Sequence, residues 1–109
     1  MEKFDFKNYK LVAVDMDGTF LGSDLKIPEK HREAVRICNE KGVAFAICTG
    51  RAFVSVAPYT EVLGDNDFVV GYNGAGISKR RGSEIIFRKT LDYNAAMEVF
   101  RLSEEDLSV

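Results

Sequence analysis

Three unbroken apolar runs, at 11–14, 43–48 and 68–72, are each of strand length, and each stops at small or polar residues. Continuous rather than alternating hydrophobicity marks strands buried on both faces, as in a parallel sheet. After the first run, Ala34, Val35, Ile37 and Cys38 recur at helical spacing. Pro28 suits a first helical turn, Glu29 favours its positive end, and Gly42 after Lys41 provides a stop. The spacing predicts a helix over 28–41, with His31 among charged neighbours in its first turns, facing solvent and without a role. Residues 20–27 read as a turn-rich loop, folding as a small hairpin over the end of the first strand. Residues 52–63 read as helical, with Pro58 removing a backbone donor and kinking or splitting the segment. Gly64-Asp65-Asn66-Asp67 reads as a turn.

Strands alternating with helices predict parallel pairing with right-handed crossovers, an α/β fold whose strand tips lie on one edge. That edge is where open α/β sheets bind ligands. It would collect Asp15 and Asp17 from the first tip, Thr49 and Arg51 from the second, and Asn73 from the third. Beyond residue 75 the period changes. Residues 76–79 and 84–88 read as a hairpin around Arg80-Arg81-Gly82-Ser83, a solvated turn. Asp92 is a good N-cap for a last helix with Ala96, Val99 and Phe100 on one face.

At 109 residues, 46% hydrophobic and 29% charged, the chain reads as one globular domain over 1–109. A net charge of −2 gives no basic field for nucleic acid or an anionic membrane. No run reaches membrane-spanning length and no signal-peptide pattern opens the chain, so a cytoplasmic setting is expected. Cys38 and Cys48 lie in apolar surroundings without a CxxC or a partner His, and read as free, mostly buried thiols.

The chemistry concentrates in Asp15-Met16-Asp17-Gly18-Thr19. Two carboxylates one residue apart at a strand end suit a nucleophile beside an acid/base near a divalent cation, and Gly18 permits a sharp turn after them. An EF-hand also opens with DxD, but it needs a preceding helix and a glycine at its sixth position, whereas Gly18 is fourth. Cys48 and Arg51 are too close in sequence to form a cysteine-phosphatase loop. The glycines of Gly71-Tyr72-Asn73-Gly74-Ala75-Gly76 precede a strand-like segment, not the helix that a dinucleotide loop requires.

Taken together, the acidic motif, Thr49-Gly50-Arg51 and Asn73-Gly74-Ala75 resemble the haloacid dehalogenase-like (HAD) superfamily of phosphotransferases, and more narrowly its Cof-type, sugar-phosphatase-like branch. The resemblance runs over residues 10 to 100. It implies a three-layer α/β sandwich on a parallel, Rossmann-like sheet, and Mg²⁺-dependent phosphatase chemistry on a small phosphorylated metabolite such as a sugar phosphate. By the resemblance, Asp15 is the nucleophile that forms an aspartyl-phosphate, and Asp17 is the general acid/base. Mg²⁺ is held by the Asp15 carboxylate, the Asp17 carbonyl and a later acidic motif. Thr49 and Gly50 hold a phosphoryl oxygen, while Arg51, Asn73 and Gly74 stand near the phosphate and the substrate mouth.

The family's third motif, a Lys, and its fourth, an acidic pair in GDxxND, have no counterpart here. Gly64-Asp65-Asn66-Asp67 has the wrong place and spacing for the fourth, and Lys79 and Lys89 are poor stand-ins for the third. The expectation is a partial core, truncated before the cap and the second half, which binds Mg²⁺ weakly and hydrolyses phosphate esters slowly or not at all. It also leaves the strand at 11–14 as an unpaired apolar edge, open to self-association or to pairing with another polypeptide. Two rivals compete with the enzyme. One is a non-catalytic interaction module of the same fold. The other is a phospho-accepting receiver, disfavoured because the third tip carries Tyr72-Asn73 in place of an acceptor Asp.

Overall fold

A computed structural model describes residues 6–106 of the chain. Five strands form one sheet in the order β1-β2-β3-β4-β5. These are β1 (Leu11–Asp15), β2 (Ala44–Cys48), β3 (Phe68–Gly71), β4 (Gly76–Lys79) and β5 (Glu84–Arg88). The first three run parallel, with Ala13 beside Ala46 and Ile47 beside Val69. The last two turn back antiparallel, β4 on β3 and β5 on β4, with a bulge between Ile77 and Ser78. The apolar runs therefore became the expected parallel strands, and the change of period marks the hairpin extension.

Helix α1 (Glu29–Glu40) follows Pro28 and ends where Gly42 takes φ +73°, a left-handed stop that lets the Val43 N–H reach the Cys38 carbonyl at 2.8 Å. Pro58 splits the next segment into α2 (Phe53–Val56) and a 3₁₀ stretch, Ala57–Val62. The last helix, α3 (Tyr93–Asp106), is capped by Asp92, whose carboxylate accepts the Ala95 N–H at 3.1 Å. Residues 20–27 close through Gly22 N–H to the Lys26 carbonyl at 2.8 Å without forming a strand ladder.

Side chains alternate across a strand and neighbours in register share a face. Val12, Val14, Phe45, Ile47 and Val69 thus share one face. Against it pack Val35 and Cys38 of α1, Val56 of α2 and Leu63, forming the core with Met16 and Phe20. Phe53 seats α2 on a glycine pair: a Cβ on Gly71 would meet its ring at 2.8 Å, and one on Gly76 at 2.9 Å. Leu11, Ala13, Ala44, Ala46, Cys48, Phe68, Val70 and Ile77 fall on the opposite face. The buried core cluster thus draws its strand residues from the first face, and the α/β fold is built on a five-strand, mostly parallel sheet. β1 pairs only with β2 and forms the sheet's edge.

The turn before β3 does more than reverse the chain. Asp67 is 1% exposed, and its carboxylate accepts hydrogen bonds from Phe45 N–H (2.7 Å), Gly64 N–H (2.7 Å) and Asn39 Nδ2 (3.0 Å). One buried acid so joins α1, β2 and the segment leading into β3. Arg81, expected in a solvated turn, donates from Nε to the Leu63 carbonyl at 2.9 Å, because the hairpin folds back over the 3₁₀ stretch. No described helix is long and apolar enough to cross a membrane.

Candidate active site

Asp15 is the last residue of β1, beside Cys48 in register. The chain then enters a five-residue turn, Met16–Phe20, closed by the Leu21 N–H on the Met16 carbonyl at 2.9 Å. Met16 and Phe20 are buried and pin the turn at both ends, leaving Asp17, Gly18 and Thr19 exposed. Asp17 is extended and Gly18 takes φ +78°, a conformation that disfavours a side chain.

His31 is not solvent-facing. Its Nδ1–H donates to the Phe20 carbonyl at 2.7 Å, and its ring stacks on that of Phe20 with centroids 5.7 Å apart. The first turns of α1 thereby hold the end of the acid-bearing turn. Sequence neighbours of His31 are charged, and nothing local signals a partner eleven residues away.

The tips of β2 and β3 are stitched together by main-chain bonds. Thr49 N–H donates to the Val70 carbonyl (2.9 Å), Asn73 N–H to the Thr49 carbonyl (3.1 Å), and Tyr72 N–H to the Arg51 carbonyl (3.0 Å). Thr49 is buried, and its Oγ1 accepts the Arg51 N–H at 3.0 Å, which leaves the hydroxyl proton free to donate elsewhere. Tyr72 and Asn73 both take left-handed backbone angles, φ +53° and +56°. A Cβ on Gly50 would lie 2.8 Å from Asn73 Oδ1, so the glycine makes room for that amide.

Asp15, Cys48, Thr49, Gly50, Val70, Asn73 and Gly74 line one cavity of about 320 Å³ at this edge. Five of the seven residues singled out from the sequence thus meet. Asp17 and Arg51 are outside that lining and bind each other: Nε–Oδ2 is 3.0 Å and Nη2–Oδ1 is 2.6 Å. The Asp17 carboxylate raises the Arg51 pKa further, and the guanidinium lies 5.7 Å from the Tyr59 ring. This pairing was not legible from motif spacing. A larger cavity of about 350 Å³, lined by Phe53, Tyr72, Ile85 and Phe87 among others, contains no acid.

Mg²⁺ prefers hard oxygen donors, and Asp15 supplies one carboxylate at the pocket. Asp17's carboxylate is taken by Arg51, and no group of three or more His, Cys, Asp or Glu among the described residues is placed to hold a metal. The donor type fits; the donor number is short of a complete shell.

Cys48, read from sequence as a strand residue, also borders the cavity. Burial, then the neighbouring Asp15 charge, push its thiol pKa up. Alkylation by iodoacetamide near neutral pH is expected to be slower than for a free thiol, and faster in Asp15→Asn, because removing the charge lowers the thiol pKa. Equal rates in the two proteins would show that Asp15 does not act on Cys48.

The family model of haloacid dehalogenase-like hydrolases matches residues 12–108. Phosphatase YwpJ of Bacillus subtilis (strain 168) is 31% identical over 97 residues, covering 89% of this chain and 34% of that protein. The 5-amino-6-(5-phospho-D-ribitylamino)uracil phosphatase YcsE of the same organism is 38% identical over 68 residues, covering 62% and 27%. Among solved structures, a haloacid dehalogenase-like hydrolase from B. subtilis superposes with a TM-score of 0.77 at 31% identity, covering 89% of this chain and 34% of that one. The chain spans about a third of the length of the curated relatives it matches.

Proposed function

Because the chain belongs to the haloacid dehalogenase-like hydrolases, we propose that its pocket is the phosphoryl-binding part of a Mg²⁺-dependent phosphatase site for a small phosphorylated metabolite, in the manner of the Cof-type branch. The supporting observation is the meeting of Asp15, Thr49, Gly50, Asn73 and Gly74 around one cavity at the edge where three parallel strands end. The name of YcsE, a phosphatase of a phosphorylated ribityl compound, agrees in substrate class. A cytoplasmic setting belongs to the same reading.

In this reading an Asp15 carboxylate oxygen attacks phosphorus, the bond to the leaving oxygen breaks, and an aspartyl-phosphate forms. Thr49 Oγ1–H and the Gly50 main chain offer donors to the equatorial oxygens, where negative charge spreads in the transition state. Asp17 protonates the leaving alcohol and then takes a proton from the water that cleaves the acyl phosphate. Asp17 must first leave Arg51, since both of its carboxylate oxygens are occupied by the guanidinium. Arg51, once released, is free to pair with an anionic group of the substrate. Asp15 and the Asp17 carbonyl are the groups that would hold Mg²⁺, which when bound offsets charge on the phosphoryl group.

A second reading, a non-catalytic module that keeps the fold, is favoured by the closed Asp17–Arg51 pair. Calorimetric titration with Mg²⁺ and beryllofluoride separates the two. The phosphatase reading expects joint binding by the native chain, its loss in Asp15→Asn, and slow turnover of p-nitrophenyl phosphate. No joint binding by the native chain would transfer it to the second reading.

A further inference from the structure

The peptide unit that joins Phe20 to Leu21 is held from both sides. Its N–H closes the acid-bearing turn on the Met16 carbonyl at 2.9 Å, and its C=O accepts His31 Nδ1–H at 2.7 Å. A peptide is planar, so fixing the direction of the oxygen also fixes the direction of the N–H. His31 therefore aims the bond that closes the turn, and does so from the third residue of a different element, α1. Its ring adds a second hold. It stacks on the ring of Phe20, which lies tilted on that of Phe45 with centroids 5.5 Å apart.

Between the two held ends only Asp17, Gly18 and Thr19 are exposed, while Met16 is 0% and Phe20 3% exposed. Gly18 is the soft joint of this stretch: its φ is +78°, and nothing lies within 4 Å of where its Cβ would stand. The Asp17 carboxylate is bound to Arg51 and has to change partners before it can serve a leaving group. With both ends fixed, that change is a rotation at Asp17 and Gly18 and not a displacement of the whole turn.

We infer that His31 is a positioning residue for Asp17, clamping the far end of the turn so that the acid moves about a fixed base. The clamp is the Nδ1–H bond to the Phe20 carbonyl. A carbonyl has no proton to give, so the neutral ring must carry its own on Nδ1 and leave Nε2 bare. This deepens the phosphatase reading and rests on it for the task of Asp17, whereas the clamp itself is a property of the fold.

Nuclear magnetic resonance on the full chain tests it, with His31→Phe, His31→Asn and, as control, Lys30→Ala at an exposed position of the same turn of α1. Phe keeps a ring without the donor. Asn loses the ring but carries an amide nitrogen as many bonds from Cα as Nδ1 is. Long-range proton–nitrogen spectra of the neutral imidazole are expected to show a proton on Nδ1. In H31F the Leu21 N–H and the Arg51 Nε–H are expected to exchange roughly fivefold faster, the equivalent of one net hydrogen bond, with the β2 amides unchanged. H31N should recover most of that protection, and K30A should match the native chain. A proton on Nε2 with Nδ1 bare overturns the inference, as does unchanged exchange at Leu21 and Arg51 in H31F. Faster exchange throughout β2 in H31F would mean general loss of stability, and H31N no better than H31F would mean that the donor does not carry the effect; either result rejects the clamp. Titration of the same proteins with Mg²⁺ and beryllofluoride keeps the two claims apart. No joint binding by the native chain counts against the phosphatase reading, while the exchange rates still decide whether His31 holds the turn.

Discussion

Replacing Asp67 by Ala is expected to destabilise the fold by about 3 kcal/mol, because hydrogen bonds to a charged group contribute about 1.5–3 kcal/mol and lost ones strand their buried partners. The main-chain N–H of Phe45, the first buried residue of β2, loses its 2.7 Å acceptor, and the Gly64 N–H loses another at 2.7 Å. Asn39 on α1 loses its link to the same carboxylate at 3.0 Å. Single domains of this size have about 5–15 kcal/mol of stability in total, so the loss is a large fraction of it. The midpoint of urea unfolding should fall sharply while the slope stays the same. Asp67→Asn keeps an acceptor and should lose less. A midpoint unmoved in Asp67→Ala would show that the carboxylate does not hold these three segments together.

Gly50→Ala is expected to weaken binding of a phosphate analogue such as beryllofluoride by tenfold or more, a magnitude in keeping with the cost of small displacements in a reacting geometry, with little change in unfolding. The new Cβ would sit 2.8 Å from Asn73 Oδ1 and 3.3 Å from its Nδ2, too close to be accommodated in place. The Asn73 main chain cannot retreat freely, since its N–H is bonded to the Thr49 carbonyl at 3.1 Å. The amide side chain must therefore rotate, and the cavity wall that it forms changes shape. Paired calorimetry and urea curves measure the two quantities separately. Equal affinities for the native and G50A chains would mean that the position of the Asn73 amide does not matter to the ligand.

The parts of this molecule legible in its sequence are those set by local pattern. Continuous apolar runs specified β1 to β3, and Pro58 specified where the helical segment breaks. The convergence of Asp15, Thr49 and Asn73 follows from parallel strands alone, since their tips must share an edge. What stayed hidden depends on contacts between residues far apart in the chain. His31 has no local reason to find the Phe20 carbonyl, and Asp67 looks like any turn acid until Phe45 and Asn39 are brought to it. The Asp17–Arg51 pair belongs to this class as well: both residues were identified, but 34 positions separate them, and spacing cannot show which way a guanidinium turns.

Two turns on this sheet repeat one geometry. Tyr72 and Asn73 follow β3, and Arg80 and Arg81 follow β4, with all four side chains on left-handed backbone. Each such residue costs about 1 kcal/mol or more relative to a relaxed conformation. The later turn anchors a guanidinium on the Leu63 carbonyl, a packing task that other sequences can share. The earlier one sets a carboxamide, that of Asn73, in the wall of the cavity. Efforts to harden this protein against heat therefore have latitude at the distal bend and very little at the proximal one, where a more comfortable backbone would turn the Asn73 amide away from the cavity it lines.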